Sequence, residues 1–201
     1  ISGGTIEGNV YGGGEAGLTH GRAAVHMANG TVNSSIYGGA QGKVGDRFVY
    51  GGSTVNMTGG WVRGNVYGGS ELSNDGKSGE QDETSASGLV FVNLTGGTVS
   101  GRVFGGGFQG IVNGSTHVHI GLGAIDKCNY YKSHAEEKPV LDASGLSVGG
   151  SVYAGGDYGG DSADLNYDTI TVNGFSHVYI DGTDYSFGAG DTGGKKMEIA
   201  G

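Results

Sequence analysis

Apolar residues recur in this chain at strand spacing, in short runs closed by glycines. Five segments read apolar-x-apolar: Val25-His26-Met27, Val55-Asn56-Met57, Val92-Asn93-Leu94, Val118-His119-Ile120 and Val178-Tyr179-Ile180. Alternate residues of a strand share a face, so the outer two of each triplet point one way and the middle residue the other. A second pattern follows the first. Its clearest copy is Gly59-Gly60-Trp61-Val62-Arg63-Gly64-Asn65-Val66-Tyr67-Gly68-Gly69, with sisters at 3–13, 29–39, 96–106 and 145–155. Each copy sets two β-branched residues four positions apart and places an aromatic residue after the second: Tyr11, Tyr37, Tyr67, Phe104 and Tyr153. Tyr185-Ser186-Phe187-Gly188-Ala189-Gly190 reads as a degenerate sixth copy.

In three units the triplet's last apolar residue lies five positions before the first β-branched residue of the following copy: Met27 to Val32, Met57 to Val62, and Leu94 to Val99. Ile1 to Ile6 keeps that spacing, so Ile1 reads as the tail of such a strand. Met197-Glu198-Ile199 reads like Val55-Asn56-Met57, which suggests a slice cut from a longer array. Each unit then holds three short strands separated by glycine corners, where glycine supplies positive φ and tight turns. Units span 26 to 49 residues between aromatic anchors. Fixed motifs with variable gaps predict stacked coils with loops emerging between them. The expected fold is an all-β parallel β-solenoid, a right-handed β-helix of about six irregular coils, roughly 29 Å long at about 4.8 Å per coil. A left-handed coil is disfavoured because its repeats are usually regular hexapeptides. Val25, Val55, Val92, Val118 and Val178 should stack inside, as should the paired Val/Ile positions. The aromatic column should lie outside or at a corner. Residues 1–201 form one solenoid segment, with insertions near 70–87, 121–139 and 157–168.

Composition supports a thin core. Glycine supplies 47 of 201 residues with a single proline, but no Gly-X-Y period runs through them, so the chain is not collagen-like. The hydrophobic share, 35%, suffices for a core one side chain deep. A net charge of −9 argues against nucleic acid or an anionic membrane surface as partner. One cysteine, Cys128, excludes an intrachain disulfide. No apolar run is long enough for a membrane span. Ser70 to Ser87, with Asn74-Asp75-Gly76, reads as an exposed loop. The insertion from Gly121 to Pro139 carries Cys128, Tyr130, Tyr131, His134, Glu136 and Glu137. Within it, Ser133-His134-Ala135-Glu136 has the form of a weak capping box, so a short helix is expected.

Candidate chemistry gathers in columns. The middle residues His26, Asn56, Asn93, His119 and Tyr179, flanked two positions earlier by Ala24, Thr54, Phe91, His117 and His177, should form a polar and aromatic ladder on one flat outer face. That face is the candidate ligand face for an extended polysaccharide. His117-x-His119 with His177 has the residue types for zinc, but no nearby acid or cysteine in sequence completes a ligand set. Asp157, Asp161, Asp164 and Asp168 cluster in a Gly-rich loop, a candidate calcium site; a solvated acidic loop is the plainer alternative. Apart from calcium, no cofactor is indicated. No acid pair, nucleophile elbow or phosphate-binding loop appears, so no catalytic residue is assigned.

The segments at 3–13, 59–69 and 96–106 resemble repeats in large secreted or surface proteins of gut and oral bacteria, especially Bacteroidetes. The resemblance implies the parallel β-helix of bacterial adhesins, an extracellular or cell-surface location, and no catalytic residues. Asp161-Ser162-Ala163 and Asp168-Thr169-Ile170 are similar to O-glycan acceptor sites of such proteins. The expected function is a stalk or adhesive segment, with glycans, host or bacterial surface proteins, and neighbouring coils of the same chain as partners. Two alternatives stand beside it: a carbohydrate-binding or carbohydrate-cleaving β-helix, and a self-stacking spacer.

Overall fold

The computed structural model describes residues 1–42, 48–76, 88–159, 171–182 and 197–199. Among these, two all-parallel sheets and a third ladder wind a parallel β-solenoid. The first sheet holds β1 (Ser2–Ile6), β3 (Ala23–Met27), β4 (Asn29–Val32), β7 (Ser53–Val62), β10 (Val90–Val99), β12 (Thr116–Ile120), β13 (Leu146–Val148), β15 (Ser176–Ile180) and β16 (Met197–Ile199). The second holds β2 (Val10–Tyr11), β5 (Ile36–Tyr37), β8 (Val66–Tyr67), β11 (Val103–Phe104) and β14 (Val152–Tyr153), stacked in that order. The third side pairs β6 (Phe48–Val49) with β9 (Asn74–Asp75), and single bridges extend it to Thr19, Val112 and Val172. Phe48-Val49, which imitates the end of the repeat in sequence, is therefore a strand of this third side.

Register follows the sequence pattern. Val25, Val55, Val92, Val118 and Val178 lie in one column. Ile6, Val32, Val62, Val99, Val148 and Ile199 form a second. Val10, Ile36, Val66, Val103 and Val152 form a third. These columns meet in one continuous core. β-Branched side chains fit a pleated surface buried on its inner side, and each fully buried Val or Ile stabilises the fold by roughly 1.5–3 kcal/mol. The aromatic residues alternate to the opposite side of the second sheet and form a separate cluster. They lie outside the core, as expected, yet Tyr37, Tyr67 and Phe104 are buried there.

Two glycine columns do different work. Gly4, Gly30, Gly60 and Gly97 have φ of 80–91°, which lets β7 and β10 bend round a corner within a single strand. Gly12, Gly38, Gly68 and Gly105 are needed for a different reason. A Cβ on each would meet the carbonyl oxygen of the next coil at 2.2–2.4 Å.

Three expectations change. Met197-Glu198-Ile199 pairs with β13 and continues the Val148 column, so it does not match Val55-Asn56-Met57. Both stretches are apolar-x-apolar, and the period alone cannot tell one side of the coil from the other. Asn74-Asp75 forms a strand in which Asp75 is fully buried, where an exposed loop was expected. Finally, the helices of the insertion begin upstream of the expected capping box, as α1 (Leu122–Lys127) and α2 (Asn129–Ser133). Ser133 Oγ donates back to the Tyr130 carbonyl at 3.0 Å and caps nothing downstream; a single 3-10 turn, Ala135–Glu137, follows.

Candidate functional site

The site is the outer face of the first sheet. The middle residues of the triplets align as the period predicts: His26 beside Asn56, then Asn93, His119 and Tyr179. They form a polarised ladder. His119 Nδ1–H donates to Asn93 Oδ1 (2.6 Å), Asn93 Nδ2 donates to Asn56 Oδ1 (2.7 Å), and Asn56 Nδ2 donates to His26 Nδ1 (3.3 Å). The amide orientations are mutually consistent only with the proton of His119 on Nδ1. The flanking column also stacks: the ring of Phe91 lies 5.1 Å from His117, and His117 lies 5.0 Å from His177.

This face is not open along its length. The insertion folds back over its centre, and Ile125, Cys128, Tyr130 and Tyr131 pack on Leu89 and Phe91 in a second apolar cluster. Asn93, His117 and His119 are consequently fully buried, where the alternation led to solvent exposure. Period two reports which face a residue occupies, and a distant segment decides whether that face is wet. Lys127 Nζ reaches Asp181 Oδ2 at 2.7 Å and ties α1 to the end of β15. Tyr130 O–H donates to Glu137 Oε2 (2.7 Å) and closes the insertion on itself.

Burial sets the electrostatics. It holds both imidazoles in the neutral form, lowering His117 to about 4 and His119 to about 3, with smaller contributions from neighbouring histidines. Burial likewise raises the Tyr131 phenol to about 12. The insertion brings Cys128 Sγ to 3.8 Å from His117 Nδ1. A thiol beside an imidazole has the residue types of a cysteine nucleophile, but both side chains are fully buried, so no substrate reaches them. His117, His119 and Cys128 each place a ligand atom within 4.8 Å of the others. The sequence paired the histidines with each other; Cys128 was hidden because nothing local says where the insertion lands.

Around His26 the face stays uncovered, with the buried Asn56 beside it at its floor. Two cavities of about 270 Å³ each share these two residues. One is walled by Arg22, Thr54, Tyr131 and Glu137, the other by Ser2, Ala28, Thr58 and Leu141. Arg22 donates to Thr54 Oγ1 at 2.9 Å and lies over the Phe91 ring at 5.1 Å. Nothing in the sequence assigns Arg22 or Glu137 to this face, because neither sits on a repeat position.

His177 and Tyr179 are half-buried at the far end of the ladder, and Ala24 is exposed at the near end. Of the candidate calcium residues, Asp157 accepts from Tyr67 O–H (3.0 Å), pairs with Arg102 (3.3 Å) and caps the Gly159 amide (3.0 Å). Asp161, Asp164 and Asp168 lie outside the described residues, as do both tripeptides resembling glycan acceptors and the degenerate repeat at 185–190. No helix among the described residues is long and apolar enough to cross a membrane. Comparison with protein-family models, curated proteins and solved structures finds no match.

Proposed function

We propose that this chain is a rigid adhesive segment of an exported bacterial surface protein, and that it holds an extended glycan in the trough over His26 and Asn56. The observation that carries this is the pair of cavities sharing those two residues. Each is smaller than the usual enclosed ligand pocket, which suits successive rings of a chain lying along the face. Its chemistry suits sugar hydroxyls: the exposed His26 imidazole and the Arg22 and Glu137 charges line it, with the Thr54 hydroxyl at its floor. Glycoside hydrolysis ordinarily needs two carboxyl groups across the bond. Among the described residues Glu137 is the one acid lining either cavity, which favours holding over cleaving. In-register coils make the support stiff, since each coil is fixed by ladders to its neighbours.

The test is retention of the purified segment on immobilised glycans and mucins, alongside Arg22→Ala and His26→Ala. Specific retention by the parent, weakened at least about tenfold in either variant, is expected, from the loss of one or two hydrogen bonds to a charged or polar group. Equal retention by the variants, or none by the parent, overturns the glycan trough.

One observation favours a second reading, a self-stacking module. Val178 and Ile180 continue buried columns yet are exposed, at 39% and 53%. Sedimentation that grows with concentration, with no glycan retained, would select it.

A further inference from the structure

We propose that His117, His119 and Cys128 form a buried binding site for a transition-metal ion of the zinc or cuprous class, which fastens the insertion to the rod. The site lies beneath the insertion, apart from the glycan trough, and stands or falls independently of it.

The first argument is the donor set. Two imidazoles and a thiolate suit ions that prefer nitrogen and sulfur, and exclude calcium and magnesium, which take oxygen. The second is position. The Nδ1–Sγ separation of 3.8 Å is near the roughly 3.5 Å that zinc imposes on a nitrogen and a sulfur bound tetrahedrally at about 2.0 and 2.3 Å. The third set of observations is independent of ligand type. The Nε2 atom of His119, the nitrogen left free for an ion once Asn93 holds Nδ1, is buried and makes no hydrogen bond. A buried polar atom left in that state costs about 1–3 kcal/mol, a cost that an ion bound there removes.

His119 is prepared as a ligand. Its Nδ1–H is taken by Asn93, which fixes the ring and turns the Nε2 lone pair outward from that bond. Metal-bound histidines characteristically hold their second nitrogen in such a bond. Asn93 is itself held by Asn56, so the outer ladder orients the ligand. Cys128 joins α1 to α2. These helices have six and five residues, too short to be stable alone. A metal–sulfur bond at their junction would hold both to the sheet. Brief opening of the same helices gives the ion its way in.

Binding forms one metal–sulfur and two metal–nitrogen bonds, strips water from the ion, and releases the thiol proton to solvent. With one thiolate and two neutral imidazoles, a cuprous ion leaves the site neutral and complete at three ligands. Zinc leaves one positive charge and takes a fourth ligand.

The experiment measures metal content of the protein produced with added zinc or with added copper under reducing conditions. Cobalt titration of the metal-stripped protein and thermal unfolding with and without metal accompany it. Cys128→Ser and His119→Gln are run in parallel. Expected are one tightly held ion per chain, a thiolate-to-cobalt charge-transfer band, and a midpoint raised by several degrees, all lost in both variants. Which supplement fills the site separates zinc from cuprous copper. Should either variant fail to fold, alkylation of Cys128 in the parent replaces it, with slowing by metal expected. No retained ion and no cobalt band in the parent overturns the site. Retention by both folded variants, or alkylation unaffected by metal, overturns it as well.

Discussion

The ring of Tyr37 lies flat against the ring of Tyr67, with centroids 4.7 Å apart and planes 4° from parallel. That separation is the spacing of neighbouring strands, so the stack is imposed by the ladder beneath it. Tyr11, Phe104 and Tyr153 extend the column at 4.9–5.1 Å. Its hydroxyls end on acids: Tyr11 and Tyr37 donate to Glu71, and Tyr67 donates to Asp157.

Tyr67→Ala removes the middle of this column. It should cost about 3–5 kcal/mol, the usual loss for a buried aromatic side chain. Tyr67→Phe keeps the stack and loses the hydroxyl's bonds to Asn65 and Asp157, so about 1 kcal/mol is expected. Chemical unfolding of the two variants checks the order. Equal losses would mean that the hydroxyl, and not the stack, stabilises this side.

Gly68→Ala should destabilise the rod by about 1–3 kcal/mol or more, since the new methyl meets Gly105 O at 2.4 Å and Val90 Cγ1 at 2.6 Å. Gly8→Ala has open space around it and should change stability by no more than about 0.5 kcal/mol. Thermal midpoints of the pair separate the two roles of glycine. A harmless Gly68→Ala would show that the coils can move apart.

Asp75 stands in the third-side column between Val49 and Val112. Its carboxylate accepts from the Ser70 amide at 2.8 Å and the Ser70 hydroxyl at 3.0 Å. It also abuts the corner at Gly39 and Gly69, where a Cβ would meet it at 2.6 and 2.7 Å. Burial raises its pKa from 3.8 to about 7, against the lowering effect of these serine bonds. The folded state therefore holds the proton more tightly than the unfolded chain. The stabilising contribution is full below about pH 4, declines between about 4 and 7, and is gone above. Asp75→Asn should flatten that decline. The difference between parent and variant in urea midpoint, measured from pH 4 to 8, isolates Asp75. His117 and His119 act with opposite sign in both proteins, because their lowered values make stability fall as pH drops below 6.5. A constant difference across the range would exclude a raised Asp75.

The sequence by itself determined the columns. Val25 stacks on Val55, and His119 lines up with Asn93, because period two and the spacing to the glycines are local properties that survive any arrangement of the loops. The ladder on the outer face was legible for the same reason. Tertiary structure decided which parts of that face meet water. Residues 121–139 show no repeat, and the preference of Ile125, Tyr130 and Tyr131 for burial names no partner; only the closed fold sets them over Phe91 and His119. That docking turned a pair of solvated histidines into a dry cluster with Cys128. It left the trough at His26 open beside it. Asp75 was misplaced on the same ground. A polar stretch normally signals a loop, and here serine donors and two glycine corners from distant positions make a buried carboxyl tolerable. Periodicity fixes what a residue faces within its own coil, whereas burial depends on contacts between segments far apart in the chain.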